Sequence, residues 1–114
     1  MEFLALIHSD EKAWESLSDD EQQAIYQRYM DFSQRDEVVG GAELQDTAAA
    51  TTVRVRDDQR VVTDGPYAEV KEALGGFFIL EADSIDKACK LAAEIPAAEH
   101  GAIEVRPVYV REES

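Results

Sequence analysis

Two residues of this 114-residue chain can move a proton near neutral pH or anchor a polar ligand, His8 and Asp64. His8 ends the run Phe3-Leu4-Ala5-Leu6-Ile7-His8, and the two-residue period of a strand puts it on one face with Leu4 and Leu6. There it would serve as acid, base or ligand anchor; the alternative is a hydrogen-bonded structural histidine. Asp64 opens the turn Asp64-Gly65-Pro66-Tyr67, in which Gly65 accepts positive φ and Pro66 fixes its own. Its carboxylate either caps that turn through backbone N–H groups or stands at a cavity mouth as a base or ligand anchor, with Tyr67 as a wall.

Other charges could complete a binding set. Glu69, Lys71 and Glu72 are predicted to lie in a short helical turn, where Glu69 and Lys71 point to different sides. They are either solvated charges or partners of Asp64 in holding a polar ligand. Arg54, Arg56, Arg60 and Arg106 concentrate positive charge on strands of an acidic protein, and the planar guanidinium suits carboxylates. If Arg54 or Arg106 faces a cavity, an anionic small molecule is the matching ligand. The competing expectation is cross-strand pairing with Glu104, Asp57 or Asp58. His100 falls in a loop and is expected at the surface. Cys89, on an apolar helix stripe, is expected to be buried and inert.

The segments Asp64-Gly65-Pro66-Tyr67-Ala68-Glu69-Val70-Lys71-Glu72, Leu74-Gly75-Gly76 and Glu104-Val105-Arg106-Pro107-Val108 resemble DGPFAETKE, LGG and EVRPV, the wording of the DGPF branch of the YCII-related proteins. The resemblance covers nearly the whole chain. It implies a small dimeric α+β domain in a family whose members mostly lack an assigned reaction. Tyr67 and Val70 stand where that wording has phenylalanine and threonine, changes that remove no charged group. In several YCII-type relatives a first-helix histidine is taken to pair with an aspartate. Residues 18–36 contain no histidine here, so that His–Asp mechanism does not transfer directly.

Composition excludes several classes. With 11 lysines and arginines against 25 aspartates and glutamates, the net charge of −14 would repel a phosphate backbone, so nucleic acid is not an expected partner. No run approaches membrane-spanning length, and the N-terminus lacks the basic start of a signal peptide. One cysteine forms no internal disulfide. Together these features predict a cytoplasmic protein that binds no membrane. The two histidines are far apart, and neither Cys-x-x-Cys nor His-Glu-x-x-His occurs, so no metal is expected. Without a GxGxxG, P-loop or nucleophile-elbow pattern, no cofactor is expected either.

The elements that must position these residues follow from periodicity. Residues 3–8 form a strand apolar on both faces. Ser18-Asp19-Asp20-Glu21 is a capping box, and Ile25, Tyr29 and Phe32 recur at helical spacing to about Asp36, while Trp14 packs a loop ahead of that helix. A short strand spans Ala42 to Gln45, and a hairpin joins Thr52–Arg56 to Arg60–Thr63 across Asp57-Asp58-Gln59. Gly76 to Ala82 is a second strand apolar on both faces, with Phe77 and Ile79 opposite Phe78 and Leu80. Ser84 caps a helix carrying Ile85, Ala88, Cys89, Ala92 and Ile95, which Pro96 ends. Ala102 to Val108 is the last strand.

This order is the split βαβ pattern of ferredoxin-like domains with an added hairpin, in one α+β domain spanning 1–114. Numbering the four core strands in chain order, the sheet should run four, one, three, two, with the doubly apolar strands central. Two helices on right-handed crossovers cover one face only. A second subunit is the economical cover for the other, giving a dimeric α+β barrel with a cavity between its sheets, an architecture the resemblance also implies. The expected function is binding of a small polar or anionic organic molecule in that cavity, with lyase- or isomerase-like acid–base chemistry through His8 and Asp64. The alternative is a non-catalytic regulatory or interaction module linked to transcription, because relatives often occur beside sigma factors. A third reading is a structural dimer with a filled interface.

Overall fold

The computed structural model describes residues 1–112. Strand β1 (Glu2–Ser9) leads through a short helix α1 (Glu11–Glu15) to α2 (Asp19–Ser33). Strand β2 (Val38–Glu43), the hairpin strands β3 (Thr51–Arg56) and β4 (Gln59–Asp64), and β5 (Ala73–Glu81) follow. Helix α3 (Ile85–Ala92) and β6 (Ala102–Pro107) complete the chain. The main sheet is antiparallel throughout, in the order β2-β5-β1-β6. This is the predicted arrangement, with the two doubly apolar strands in the middle.

Local signals explain the helices. The Ser18 hydroxyl accepts from the Glu21 N–H while the Glu21 carboxylate accepts from the Ser18 N–H, both at 3.1 Å, so two otherwise orphaned donors at the α2 start are satisfied reciprocally. Ser84 caps α3 by accepting from the Lys87 N–H. On α3, Ala88, Leu91, Ala92 and the following Ile95 are the buried stripe. Cys89 lies beside it and is exposed, which corrects the expectation of a buried thiol. The spacing of Ala88, Leu91, Ala92 and Ile95 defines a tighter face than one drawn through Ile85 and Cys89, and Ile85 is likewise exposed.

Both long helices pack on one side of the sheet. Phe3, Ala5 and Ile7 of β1 and Leu80 of β5 meet Phe32 of α2 and Ala88, Leu91 and Ala92 of α3 in a continuous core, with Phe3 and Leu80 wholly inaccessible. Phe78 joins it, its ring edge-on to Phe32 at 5.0 Å between centroids. The alternate residues of the same strands point the other way. Register sets Leu4 opposite Ile79 and Leu6 opposite Phe77. Gly40 and Ala42 of β2 lie beyond Ile79 and Phe77, and Arg106 and Glu104 of β6 lie beyond Leu4 and Leu6. No helix covers this face, and its four large apolar side chains are only half-buried.

The hairpin stands apart. β3 and β4 form their own two-stranded sheet and pack chiefly on each other. Asp57 and Asp58 make the turn with φ of 52° and 61°, the left-handed pair that matches strand twist, so the turn is two residues long and Gln59 already belongs to β4. Val53, Val55, Val61 and Val62 are all exposed. The projecting arm explains a radius of gyration of 16.4 Å, against about 13 Å for a compact chain of this length. An isolated two-stranded hairpin is marginal in water.

Boundaries also differ from expectation elsewhere, β5 beginning at Ala73 where Gly76 was expected. β2 begins at Val38 rather than Ala42, because the Val39 bulge lets Gly40 and Gly41 enter the ladder. Residues 66–72 form bends, not a helical turn. Pro66 and the onset of β5 leave too few residues between them to offset helix nucleation. Trp14 sits within α1 rather than in a loop. Among the described residues no helix is long and apolar enough to cross a membrane.

Carboxylates that fasten the helices give this fold a pH dependence. Hydrogen bonds from the Ser18 backbone and hydroxyl hold Glu21 below its ordinary 4.5, and the hydrogen bond and charge of Arg28 do the same for Glu99. Lys87 lowers Asp83 from 3.8. A lowered folded-state pKa contributes stability above the ordinary value that is lost as pH falls through the lowered one. The melting temperature should therefore be flat near neutrality and decline from about pH 4.5 downward, less steeply in Glu21→Gln and Glu99→Gln variants. Thermal melts across pH 3 to 7 check this.

Candidate functional site

The open sheet face carries one polar cluster. β1 places His8 at its end, and the adjacent β6 presents Glu104 opposite Leu6 and Arg106 opposite Leu4. Residues two apart on a strand share a face, so the three side chains project on the same side as Leu4 and Leu6. His8 Nε2 lies 3.2 Å from Glu104 Oε1, and Arg106 Nε lies 3.8 Å from Glu104 Oε2. The carboxylate thus bridges imidazole and guanidinium. A carboxylate only accepts, so Nε2 is the donor in the 3.2 Å contact, and in the neutral ring Nδ1 is the acceptor. The imidazole is about one-third exposed, and Arg106 is open to solvent.

The remaining predicted site residues are not gathered at this cluster. Asp64 ends β4 opposite Thr51, at the base of the arm. The turn after it is held without its carboxylate: the Gly65 N–H donates to the Ala50 carbonyl at 2.7 Å, and the Thr52 hydroxyl donates to the Gly65 carbonyl at 2.8 Å. Gly65 has φ of 102°, a conformation that excludes most side chains at little cost to glycine. Asp64 is exposed and makes no side-chain hydrogen bond among the described residues, so the capping role weighed for it is not realised. Tyr67 is 80% exposed, and Glu69 is exposed beside it. Lys71 lines an open depression of about 620 Å³ with Asp10, Ala13, Glu72 and His100. Arg54 lies on the arm opposite Val61. Neither it nor Arg56 nor Arg60 has a carboxylate partner among the described residues, and Arg106 contacts Glu104 along its own strand, not across strands as the pairing expectation had it.

Glu104, expected from the sequence only as an arginine partner, is also the contact of His8. The signal was present: the expected sheet order makes the first and last strands neighbours, and alternation puts Glu104 on the face away from Ile103 and Val105. His8 was nevertheless considered without a partner.

A second concavity lies on the helix-covered side, at the edge formed by β2. It holds about 540 Å³ between α1, α2 and the strands β2 and β5. Trp14, Tyr26, Tyr29 and Met30 form its apolar walls, and Glu11, Glu43 and Asp46 stand around it. The Glu11 carboxylate is fixed by the Thr47 N–H at 2.8 Å and the Thr47 hydroxyl at 3.0 Å. Burial, with the nearby Glu43 charge adding to it, pushes the Tyr29 phenol above its usual value despite a hydrogen bond with the Ala97 backbone. Tyr29 is therefore neutral at physiological pH. Among the described residues no group of three or more histidine, cysteine, aspartate or glutamate side chains is placed to hold a metal ion.

The chain is similar to known proteins over almost its whole length. The model of the YCII-related domain matches residues 1–112. A protein of Rhizobium meliloti (strain 1021), described only as uncharacterized, is 34% identical over 115 residues, an alignment covering 95% of this chain and 92% of that protein.

Proposed function

This chain belongs to the YCII-related family, and from that premise we propose that it works as a homodimer binding a small polar or anionic organic molecule between its two sheets. Lyase- or isomerase-like proton transfer is the chemistry such a site would support. The observation carrying this reading is the His8–Glu104–Arg106 cluster beside the apolar centre of an uncovered sheet face. A pairing of two such faces removes Leu4, Leu6, Phe77 and Ile79 from water. At about 25 cal/mol per Å² of apolar surface that contributes several kcal/mol, a large share of a small domain's stability. It also encloses the polar cluster, and charge interactions strengthen where water is excluded.

Within that cavity the His8 imidazole is the proton-handling group, oriented by Glu104, and Arg106 receives the ligand's negative charge. Asp64 is the second proton-handling candidate, with Tyr67 as a wall, and Arg54, Glu69 and Lys71 are the further ligand candidates; all lie on the arm and the loop after it, away from the His8 cluster, and join the set only where the second copy carries them to the cavity. The supporting fact for Asp64 is its carboxylate, exposed and free of side-chain hydrogen bonds among the described residues.

Thermal-shift measurement against a panel of small hydroxy-, keto- and dicarboxylic acids tests the reading. A stabilising acid is expected, its shift reduced at least threefold by His8→Ala, Asp64→Ala or Arg106→Gln. Unchanged shifts in a variant remove that residue from the site. Native mass spectrometry supplies the contrast: a retained metabolite supports this function, and a reproducible bound protein supports an interaction module instead.

A further inference from the structure

The cleft beside α2 differs in chemistry from the intersheet face and has no role in the function proposed above. Its volume of about 540 Å³ lies within the range of small-molecule sites. Three of its wall residues, Trp14, Tyr26 and Met30, are 40%, 51% and 45% exposed. Isolated exposed apolar side chains need no explanation, but these converge on one concavity from two helices. The lining contains Glu11, Glu43 and Asp46 and no lysine or arginine. Glu11 is pinned by Thr47 toward one side, and Glu43, from β2, lines the cleft together with Tyr29.

We infer that this cleft binds an organic cation, an amine or quaternary ammonium with an apolar body, whose charge rests against the aromatic faces under the carboxylates. Aromatic faces carry negative potential and attract cations within about 6 Å of the ring centre. The carboxylates add complementary charge, and the net charge of −14 raises the local concentration of any cation. An anion would meet three carboxylates and no compensating base. A neutral molecule would gain only the apolar walls.

Trp14 is the single tryptophan and lines the cleft, so its fluorescence reports occupancy directly. Benzyltrimethylammonium and choline are the cationic probes, 3,3-dimethylbutan-1-ol is the neutral counterpart of choline, and benzoate is the anionic control. Both cations are expected to change Trp14 emission saturably, choline at least tenfold more tightly than its neutral counterpart, and benzoate not at all. Glu43→Gln and Tyr26→Leu should each weaken cation binding at least threefold, while His8→Ala leaves it unchanged, which separates this site from the intersheet one. Equal binding of choline and the neutral alcohol overturns the inference, as does the absence of a saturable change. So does cation binding that emerges only when the dimer is dissociated by Leu6→Glu, because a second copy then fills the cleft.

Discussion

Replacing Leu6 by glutamate is expected to dissociate the protein into monomers, raising the dimer dissociation constant at least 100-fold. Leu6 lies on β1 at the middle of the open face, between Phe77 on β5 and Glu104 on β6. In the proposed dimer it is buried against the opposing sheet. A carboxylate there would be desolvated without a cation to pair it, and the two-fold relation of the copies introduces the penalty twice. It would also stand opposite Glu104, like charge against like charge. Inside one protomer only that like-charge contact is felt, because among the described residues no helix packs on this half-exposed face. Size-exclusion chromatography with light scattering reads the mass, and circular dichroism confirms that the variant keeps its fold. A folded variant with the mass of the parent dimer would contradict the assignment.

Truncating Phe3 to alanine is expected to destabilise the fold by about 3 to 5 kcal/mol, against a total of about 5 to 15 kcal/mol for a domain of this kind. Phe3 is wholly inaccessible and packs with Leu80, Phe32 and the α3 stripe, so its removal leaves a cavity that these elements cannot close. Leu4→Ala, one residue away, is the informative companion. In a lone protomer Leu4 is half-buried and its loss would be mild. In the dimer it is core, and the loss should reach about 2 kcal/mol or more, growing as protein concentration is raised. Urea unfolding at two protein concentrations separates the cases. Equal, mild and concentration-independent effects at Leu4 would mean that nothing covers it.

Much of the fold was legible because its strongest signals are periodic. Phe3, Ala5 and Ile7 alternating with Leu4 and Leu6, and Phe78 and Leu80 alternating with Phe77 and Ile79, identify two strands that need cover on both faces and so belong in the middle of the sheet. That placement fixes β6 beside β1 and β2 beside β5. The capping box at Ser18 and the cap at Ser84 are local in sequence and were read directly. The helical turn expected at Glu69 to Glu72 failed because composition there suits a helix while length does not. Cys89 was misplaced because α3 is short, and either of two overlapping stripes satisfies its period until packing selects one.

The site was less legible because its parts come from distant segments. His8 was singled out, but Glu104 is 96 residues away and becomes its partner only through strand register. The α2 cleft draws its walls from α1, α2 and β2, and Tyr26 and Met30 lie off the stripe of Ile25, Tyr29 and Phe32 that marks the helix's core face. The exposed valines of β3 and β4 read as an ordinary hairpin in sequence. Only the three-dimensional arrangement shows that, among the described residues, these strands pack chiefly on each other.

A second copy is expected to cover the face that bears Leu4, Leu6, Phe77 and Ile79. Sedimentation equilibrium of the unaltered protein tests this most directly. The expected result is a single species with the mass of two 12.7 kDa chains, persisting on dilution into the micromolar range. A well-folded species with the mass of one chain at the highest attainable concentration would contradict it.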